Sequence, residues 1–301
     1  MKKKYKIAIF VAIVFIIVGC LFSFSALLTE NFDFSMLNSW DYVEKTYTVS
    51  ESFTSIYVET DTSDISFIPA TDGNCKVVCH ESEKLLYNVF VADSTLRIEI
   101  LDRREWHDYI GFSFEDTKMT IYLPETFYNS VDLTSDTGDI SIGNYFTFNN
   151  VNISGSTCDI NFKAKVQDKL LIKLSTGDIF IDSSNIKNTD LKTSTGDIKI
   201  SSMNGEKATI RTSTGEVTMN NVILSDKTTI STSTGDVVLK DSDASVIDIE
   251  TSTGDVTCRL LTGKIYTAKS DTGDIRIPDH KKDGGTCKIV TDTGDIKVTI
   301  I

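Results

Sequence analysis

The stretch Thr193-Ser194-Thr195-Gly196-Asp197-Ile198-Lys199-Ile200 recurs, with small changes, along the second half of the chain. The glycine of this phrase stands at Gly138, Gly177, Gly196, Gly215, Gly235, Gly254, Gly273 and Gly294, with Cys158 in its place once. Successive spacings are 20, 19, 19, 19, 20, 19, 19 and 21 residues. A fixed period near twenty marks a solenoid, in which each repeat buries its apolar face only against its neighbours.

Three columns around the glycine decide the element type. Two residues after it stand Ile140, Ile160, Ile179, Ile198, Val217, Val237, Val256, Ile275 and Ile296. Four after it stand Ile142, Phe162, Ile181, Ile200, Met219, Leu239, Cys258, Ile277 and Val298. Five before it stand Leu133, Ile153, Ile172, Leu191, Ile210, Ile230, Ile249, Ala268 and Ile289. Every entry is apolar, and the period within each strand is two, which is strand alternation and not helix. Each repeat therefore reads as two short strands joined at Thr-Gly-Asp, where glycine supplies a positive φ. Parallel stacking of such turns, with strands about 4.8 Å apart, gives an all-β parallel β-helix with 19–20 residues per turn.

Working outward, Ile56 to Phe67 fits the same template with Ser63 at the glycine position, an early turn of the same solenoid. Between it and Ser135 the pattern loosens. Cys75 to Cys79, Tyr87 to Val91, Thr95 to Ile100 and Lys118 to Leu123 alternate as strands. Arg103 to Asp116 is the one long departure and is rich in aromatic residues.

Residues 1–6 form a basic tail, and residues 7–28 are 22 consecutive uncharged residues, enough to span a bilayer. The lysines Lys2, Lys3, Lys4 and Lys6 place the tail in the cytoplasm and the rest outside. The expected architecture is thus one N-terminal transmembrane helix (7–28), a spacer (29–45) and a β-helix domain (46–301) with regular repeats over 131–301. The alternatives are a lipoprotein, since Ile17-Val18-Gly19-Cys20 resembles a lipobox with Cys20 as the anchor, and an ordinary cleaved signal peptide.

The chain has 301 residues and a formal charge of −13, which becomes −17 once the four leader lysines are set aside. So acidic a body argues against nucleic acid and against electrostatic docking on anionic lipid. The six cysteines make no evident pair and read as small core fillers.

The apolar anchor, the Thr62-Ser63-Asp64-Ile65 turn, the Trp106-His107-Asp108-Tyr109-Ile110-Gly111-Phe112 loop, the Tyr122-Leu123-Pro124 strand end and the Ser-Thr-Gly-Asp-Ile ladder together resemble the bacterial "putative adhesin" family, over roughly residues 40–301. The resemblance implies a membrane-anchored envelope protein tied to adhesion or envelope stress. It implies no catalytic residues and no cofactor.

Four candidate chemistries follow from the residues. An acidic ladder points outward, one carboxylate per turn: Asp139, Asp159, Asp178, Asp197, Glu216, Asp236, Asp255, Asp274 and Asp295. Calcium between neighbours would relieve a repulsion of about 0.9 kcal/mol per pair in water. The bland reading is that each aspartate bonds a nearby backbone amide and suits the turn. The Thr-x-Thr pairs, such as Thr193 and Thr195, place their first member inward by parity, where it bonds along the ladder and does not order ice. Catalysis of the polysaccharide type needs clustered carboxylates in a cleft, and His80, His107 and His280 are far apart. Finally, Trp106, Tyr109 and Phe112 read either as partner-binding anchors or as a plug for the N-terminal end. The expected function is a non-catalytic extracellular envelope protein, an interaction module whose partner is an envelope protein or glycan. A polysaccharide-active β-helix enzyme and a calcium-binding structural surface protein are the alternatives.

Overall fold

The computed structural model describes residues 12–22, 24–25, 42–104, 117–279 and 284–301. Residues 12–22 and 24–25 are helical with exposed side chains. No helix among the described residues is long and apolar enough to cross a membrane. The span expected over 7–28 is therefore seen as helix only in that shorter piece, and its remaining residues lie outside the described ones.

The remainder is a parallel β-solenoid of two facing sheets. In one sheet Lys165–Thr176, Ile186–Lys192, Asn204–Arg211 and Ile223–Thr234 follow one another in parallel. In the other, Ile179–Asp182, Ile198–Ser201 and Val217–Asn220 do the same. Register keeps like on like: Ile172, Leu191, Ile210, Ile230 and Ile249 stack as one inward column. All five are 0% exposed. Fully burying an aliphatic side chain of this size stabilises by about 1.5–3 kcal/mol. The core is thus a set of apolar ladders along the stack, supplied by every turn. The longer spacing from Gly215 to Gly235 is absorbed by a bulge, where the register shifts between Leu224 and Lys227.

Opposite the Gly-Asp corner a second reversal is made at Ser202, Asn221 and Asp241, with φ of 56°, 54° and 50°. Asn and Asp are the non-glycine residues that best tolerate this left-handed region.

Stacking order departs from sequence order at both ends. Ser55–Thr60 lies between Thr95–Asp102 and Phe127–Thr137. Asp64–Pro69 likewise lies between Lys118–Leu123 and Ile140–Ile142. At the other end Thr286–Thr293 lies between Val237–Thr253 and Ile265–Thr272, and Ile296–Ile300 lies between Val256–Leu260 and Ile275–Arg276. The final turn is therefore second from the end, inserted beneath a turn that precedes it in the chain. Simple sequential stacking holds only between these interleaved ends.

The early turn read at Ile56 to Phe67 is present, with Ser63 fully buried beside Gly138. The looser strands are also present, as Cys75–Glu81, Leu85–Ala92, Thr95–Asp102 and Lys118–Leu123. Leu85–Ala92 pairs antiparallel with Thr95–Asp102, and Cys75–Glu81 pairs antiparallel with both Lys118–Leu123 and Val43–Val49. The first strand begins at Val43, slightly before the expected domain start at 46. This end of the stack is covered by antiparallel strands. At the opposite end Ile275, an inward column residue, is 42% exposed, because among the described residues no strand stacks beyond it.

Near the N-terminal end the core is aromatic. Tyr128 lies 6.0 Å from Phe148, Phe148 6.1 Å from Phe146, and Phe146 6.4 Å from Phe67, measured between ring centroids.

Candidate functional site

The most conspicuous candidate, the acidic ladder, is a structural device. At Gly196 φ is +145°, and a Cβ there would sit 2.0 Å from the carbonyl oxygen of Gly177. This conformation turns the Gly196–Asp197 peptide away from the backbone ladder. Its two polar groups are instead held by side chains of the layers on either side. The Asp197 N–H donates to Asp178 Oδ1 at 2.7 Å, and the Gly196 carbonyl accepts from Thr212 Oγ1 at 3.2 Å. A buried peptide group left without partners costs about as much as a lost hydrogen bond. The Thr and Asp columns of the repeat are thus the two halves of one solution to the corner that glycine creates.

The same bonds run along the stack. Asp139, Asp159 and Asp178 donate their N–H groups to Oδ1 of Asp64, Asp139 and Asp159, at 2.9, 3.1 and 2.7 Å. Beyond the seam described next, Asp255, Asp295 and Asp274 donate to Asp236, Asp255 and Asp295, each at 2.8 Å. The aspartates expected as calcium ligands therefore each commit an oxygen to a neighbouring amide, apart from the terminal Asp274. Among the described residues no group of His, Cys, Asp and Glu is arranged to hold a metal. The first threonine of each pair points inward, as parity required. Thr193, Thr251 and Thr291, each 1% exposed, donate to the carbonyls of Gly177, Gly235 and Gly254.

The pattern breaks at Glu216 and at Cys158, and Leu174 takes the place of the inward threonine in the layer of Gly177. Glu216 keeps the bond to the layer before, its amide N–H donating to Asp197 Oδ1 at 2.8 Å. Its longer side chain, however, turns to the Thr218 hydroxyl. In the next layer the Thr232 hydroxyl is buried without a partner. The second break is Cys158, whose Sγ lies 3.6 Å from the Ser135 carbonyl, in the space that Gly155 leaves open.

Sequence reasoning missed a buried ion pair at the C-terminal end. Lys264 Nζ lies 2.6 Å from Asp243 Oδ1, with side chains 3% and 9% exposed. Thr262 Oγ1 donates to Asp243 Oδ2 at 2.7 Å and accepts from Lys264 Nζ at 2.8 Å. Neither charge is left unpaired, which is the condition for tolerating such burial. Glu81, 5% exposed, is likewise satisfied, by Tyr47 Oη at 2.5 Å and the Tyr87 N–H at 2.9 Å.

The cysteines of the core are free thiols. Burial pushes Cys75, Cys79 and Cys287 up to about 12 and raises Cys158 and Cys258 as well. The interleaved last turn brings Cys287 into register with Ile247, and Cys287 adds to the upward shift of Cys258. That proximity was hidden by assuming sequential stacking.

Trp106, Tyr109 and Phe112, the expected partner-binding residues, lie outside the described residues. Exposed rings are found elsewhere, where Phe127 (44% exposed) and Tyr145 (56%) line a shallow notch with Glu125, Thr126, Thr147 and Gln167.

Fold and corner chemistry together define a parallel β-solenoid whose repeat motif is consumed by its own stacking. The chain belongs to the Toastrack DUF4097 family, whose model matches residues 53–240 and 223–301. Among solved structures it is similar to a "putative adhesin" from Parabacteroides merdae ATCC 43184, with 14% identity and a TM-score of 0.54. That likeness covers 87% of this chain and 98% of the other. A "putative adhesin" from Bacteroides fragilis NCTC 9343 is 17% identical with a TM-score of 0.45, covering 86% and 97% of the two chains. A "putative lipid binding protein" from Parabacteroides distasonis ATCC 8503 is 12% identical with a TM-score of 0.44, covering 85% and 96%. At these identities the likeness concerns the fold. No curated protein matches the chain.

Proposed function

We propose that the chain is a non-catalytic display module of the bacterial envelope, an adhesin-like rod held outside the membrane by its N-terminal apolar segment. The observation that carries this reading is the fate of the carboxylates. In a glycan-cleaving β-helix, paired acids must be free to protonate and to attack. Here the repeated acids hold neighbouring peptide groups, as Asp178 holds the Asp197 N–H. A rigid body that presents long, regular sides suits contact better than turnover. The description of the similar P. merdae structure as a "putative adhesin" supports the same reading. The anchor is the apolar run of residues 7–28 as a single span, or lipid on Cys20 as the alternative.

The test is deletion and complementation in the source cell, with adhesion and envelope-stress signalling as readouts. Loss of either on deletion, restored by the full chain, is the expected result. If neither changes, the interaction reading fails. Protease treatment of intact cells checks the topology: removal of the acidic body is expected, and its protection would reverse the orientation.

A further inference from the structure

The outward positions of the regular turns are mostly Lys, Thr, Ser, Asn and Asp. One corner departs from this. Phe127 and Tyr145 are the exposed aromatic rings of the described solenoid, and both border the same notch. We propose that this notch binds an uncharged glycan chain. The inference rests on the display reading above and gives it a ligand class and a place.

Three observations support it. First, the rings stand on ordered backbone. Phe127 is in register with Thr147 on the adjacent strand, directly above a core of Tyr128, Phe146 and Phe148, each at most 2% exposed. The Tyr145 ring lies close along the backbone at Gly143, where an added Cβ would come within 3.2 Å of the ring. An aromatic side chain has only two χ angles and loses little entropy on binding, which suits a stacking platform. Second, the polar groups around the rings suit hydroxyls. Glu125, Thr126, Thr147 and Gln167 offer acceptors and donors at the rim, and the rings offer faces for the C–H side of a sugar. The notch crosses strands of three successive layers, spaced about 4.8 Å apart, a spacing comparable with the size of a pyranose ring. Third, charge bears on the class. Glu125 at the rim is set against Lys165, which is in register with Thr147, so the notch offers no run of one sign for a charged polymer to follow, and the chain that fits is neutral. A protein partner would want a broader apolar centre than two rings set among polar residues.

The experiment titrates the full chain with neutral β-linked tetrasaccharides of glucose, galactose, mannose and N-acetylglucosamine. Tetragalacturonate serves as the acidic comparison, and binding is read by saturation-transfer NMR. Saturable binding of at least one neutral tetrasaccharide in the millimolar range or tighter is expected, with none for the acidic one. Tyr145→Ala and Phe127→Ala should each weaken it by about tenfold, since a stacking contact is of that order. Tyr145→Phe should stay within about threefold, because the face of the ring is kept. Both positions are exposed, so melting curves of the variants should match the parent. Absence of binding by every neutral tetrasaccharide overturns the proposal. So does binding that survives both alanine variants, or equal binding of tetragalacturonate. If Tyr145→Ala abolishes glycan binding and the cell phenotype together, both readings stand. If no glycan binds while adhesion still depends on the chain, the glycan site falls and the display reading remains.

Discussion

Cys158 and Gly155 exchange space: a Cβ on Gly155 would lie 2.7 Å from Cys158 Sγ. In most later turns the first position carries an inward threonine or serine and the second carries glycine. Here bulk has moved three residues along the chain, and the thiol approaches the Ser135 carbonyl as a hydroxyl would. The pair should therefore be coupled. Gly155→Thr alone should destabilise by about 1–3 kcal/mol through overpacking. Cys158→Gly alone should cost a similar amount through the cavity it leaves. The double variant, which restores the common pattern, should cost clearly less than the sum. Denaturant melts of the four proteins measure this, and strict additivity would show that the exchange carries no energy.

Glycines separate by what surrounds them. Gly196→Ala brings a Cβ to 2.0 Å from a backbone oxygen at φ +145°, so backbone must move in two layers. A loss of about 3 kcal/mol or more is expected, or failure to fold. Gly73→Ala has φ +73° and nothing within 4 Å, so its cost should be only about 1 kcal/mol. Equal melting temperatures for the two variants would contradict the close approach at the corner.

The seam after Glu216 should be repairable. Shortening the side chain with Glu216→Asp supplies an Oδ1 where other layers have one, facing the Asp236 N–H. The resulting hydrogen bond should raise stability by about 0.5–1.5 kcal/mol. A lower melting temperature for Glu216→Asp would mean that the Thr218 contact outweighs the ladder bond.

If the aspartates serve the corner peptides, calcium is not needed to hold them. Melting of the full chain in EDTA and in millimolar calcium should agree within a few degrees. A large calcium-dependent rise would turn the ladder back into a metal site.

Alkali should unfold the protein through its thiols. Cys75, Cys79 and Cys287 hold their protons up to about 12 in the folded chain. In the unfolded chain a thiol releases its proton near about 8.5. Folding thus favours the protonated form. The stabilising contribution is complete below the unfolded value and falls as pH rises through the folded one. Stability should be flat with respect to these groups from pH 6 to 8 and should decline above about 9. Iodoacetamide at neutral pH should leave the five core thiols unmodified until denaturant is added. Rapid labelling of Cys258 in the native protein would contradict its burial.

The inward columns were legible because burial alternates with period two, and Ile198 and Ile230 indeed lie at 0% exposure. Parity also placed Thr193 inward, though its acceptor, the carbonyl of a neighbouring glycine, belongs to another layer and leaves no local mark. The order of the end turns was not legible. Every repeat offers the same strand edge, so Thr286–Thr293 satisfies Val237–Thr253 as well as Ile265–Thr272 would. Asp243 and Lys264 were passed over because charged residues near a turn ordinarily face water. Phe127 and Tyr145 carried a usable signal, aromatic residues at the outward start of strands, but the denser aromatic loop at Trp106 drew attention from them.

The interleaved ends bear on how such a protein can change its length. A solenoid closed by its last repeat in sequence lengthens by adding one more copy at its tail. In this chain the tail is already wedged beneath Ile265–Thr272, and the segment Ser55–Thr60 is wedged in the same way at the other end. A duplicated copy following Ile296–Ile300 would find both edges of the preceding turn paired and would have to cross residues 265–276 to reach a free one. Gain or loss of turns is thereby easiest in the middle of the stack, where any unit such as 197–215 joins equivalent neighbours on both sides. Tandem duplication there adds layers while leaving the interleaved turns on either side unchanged.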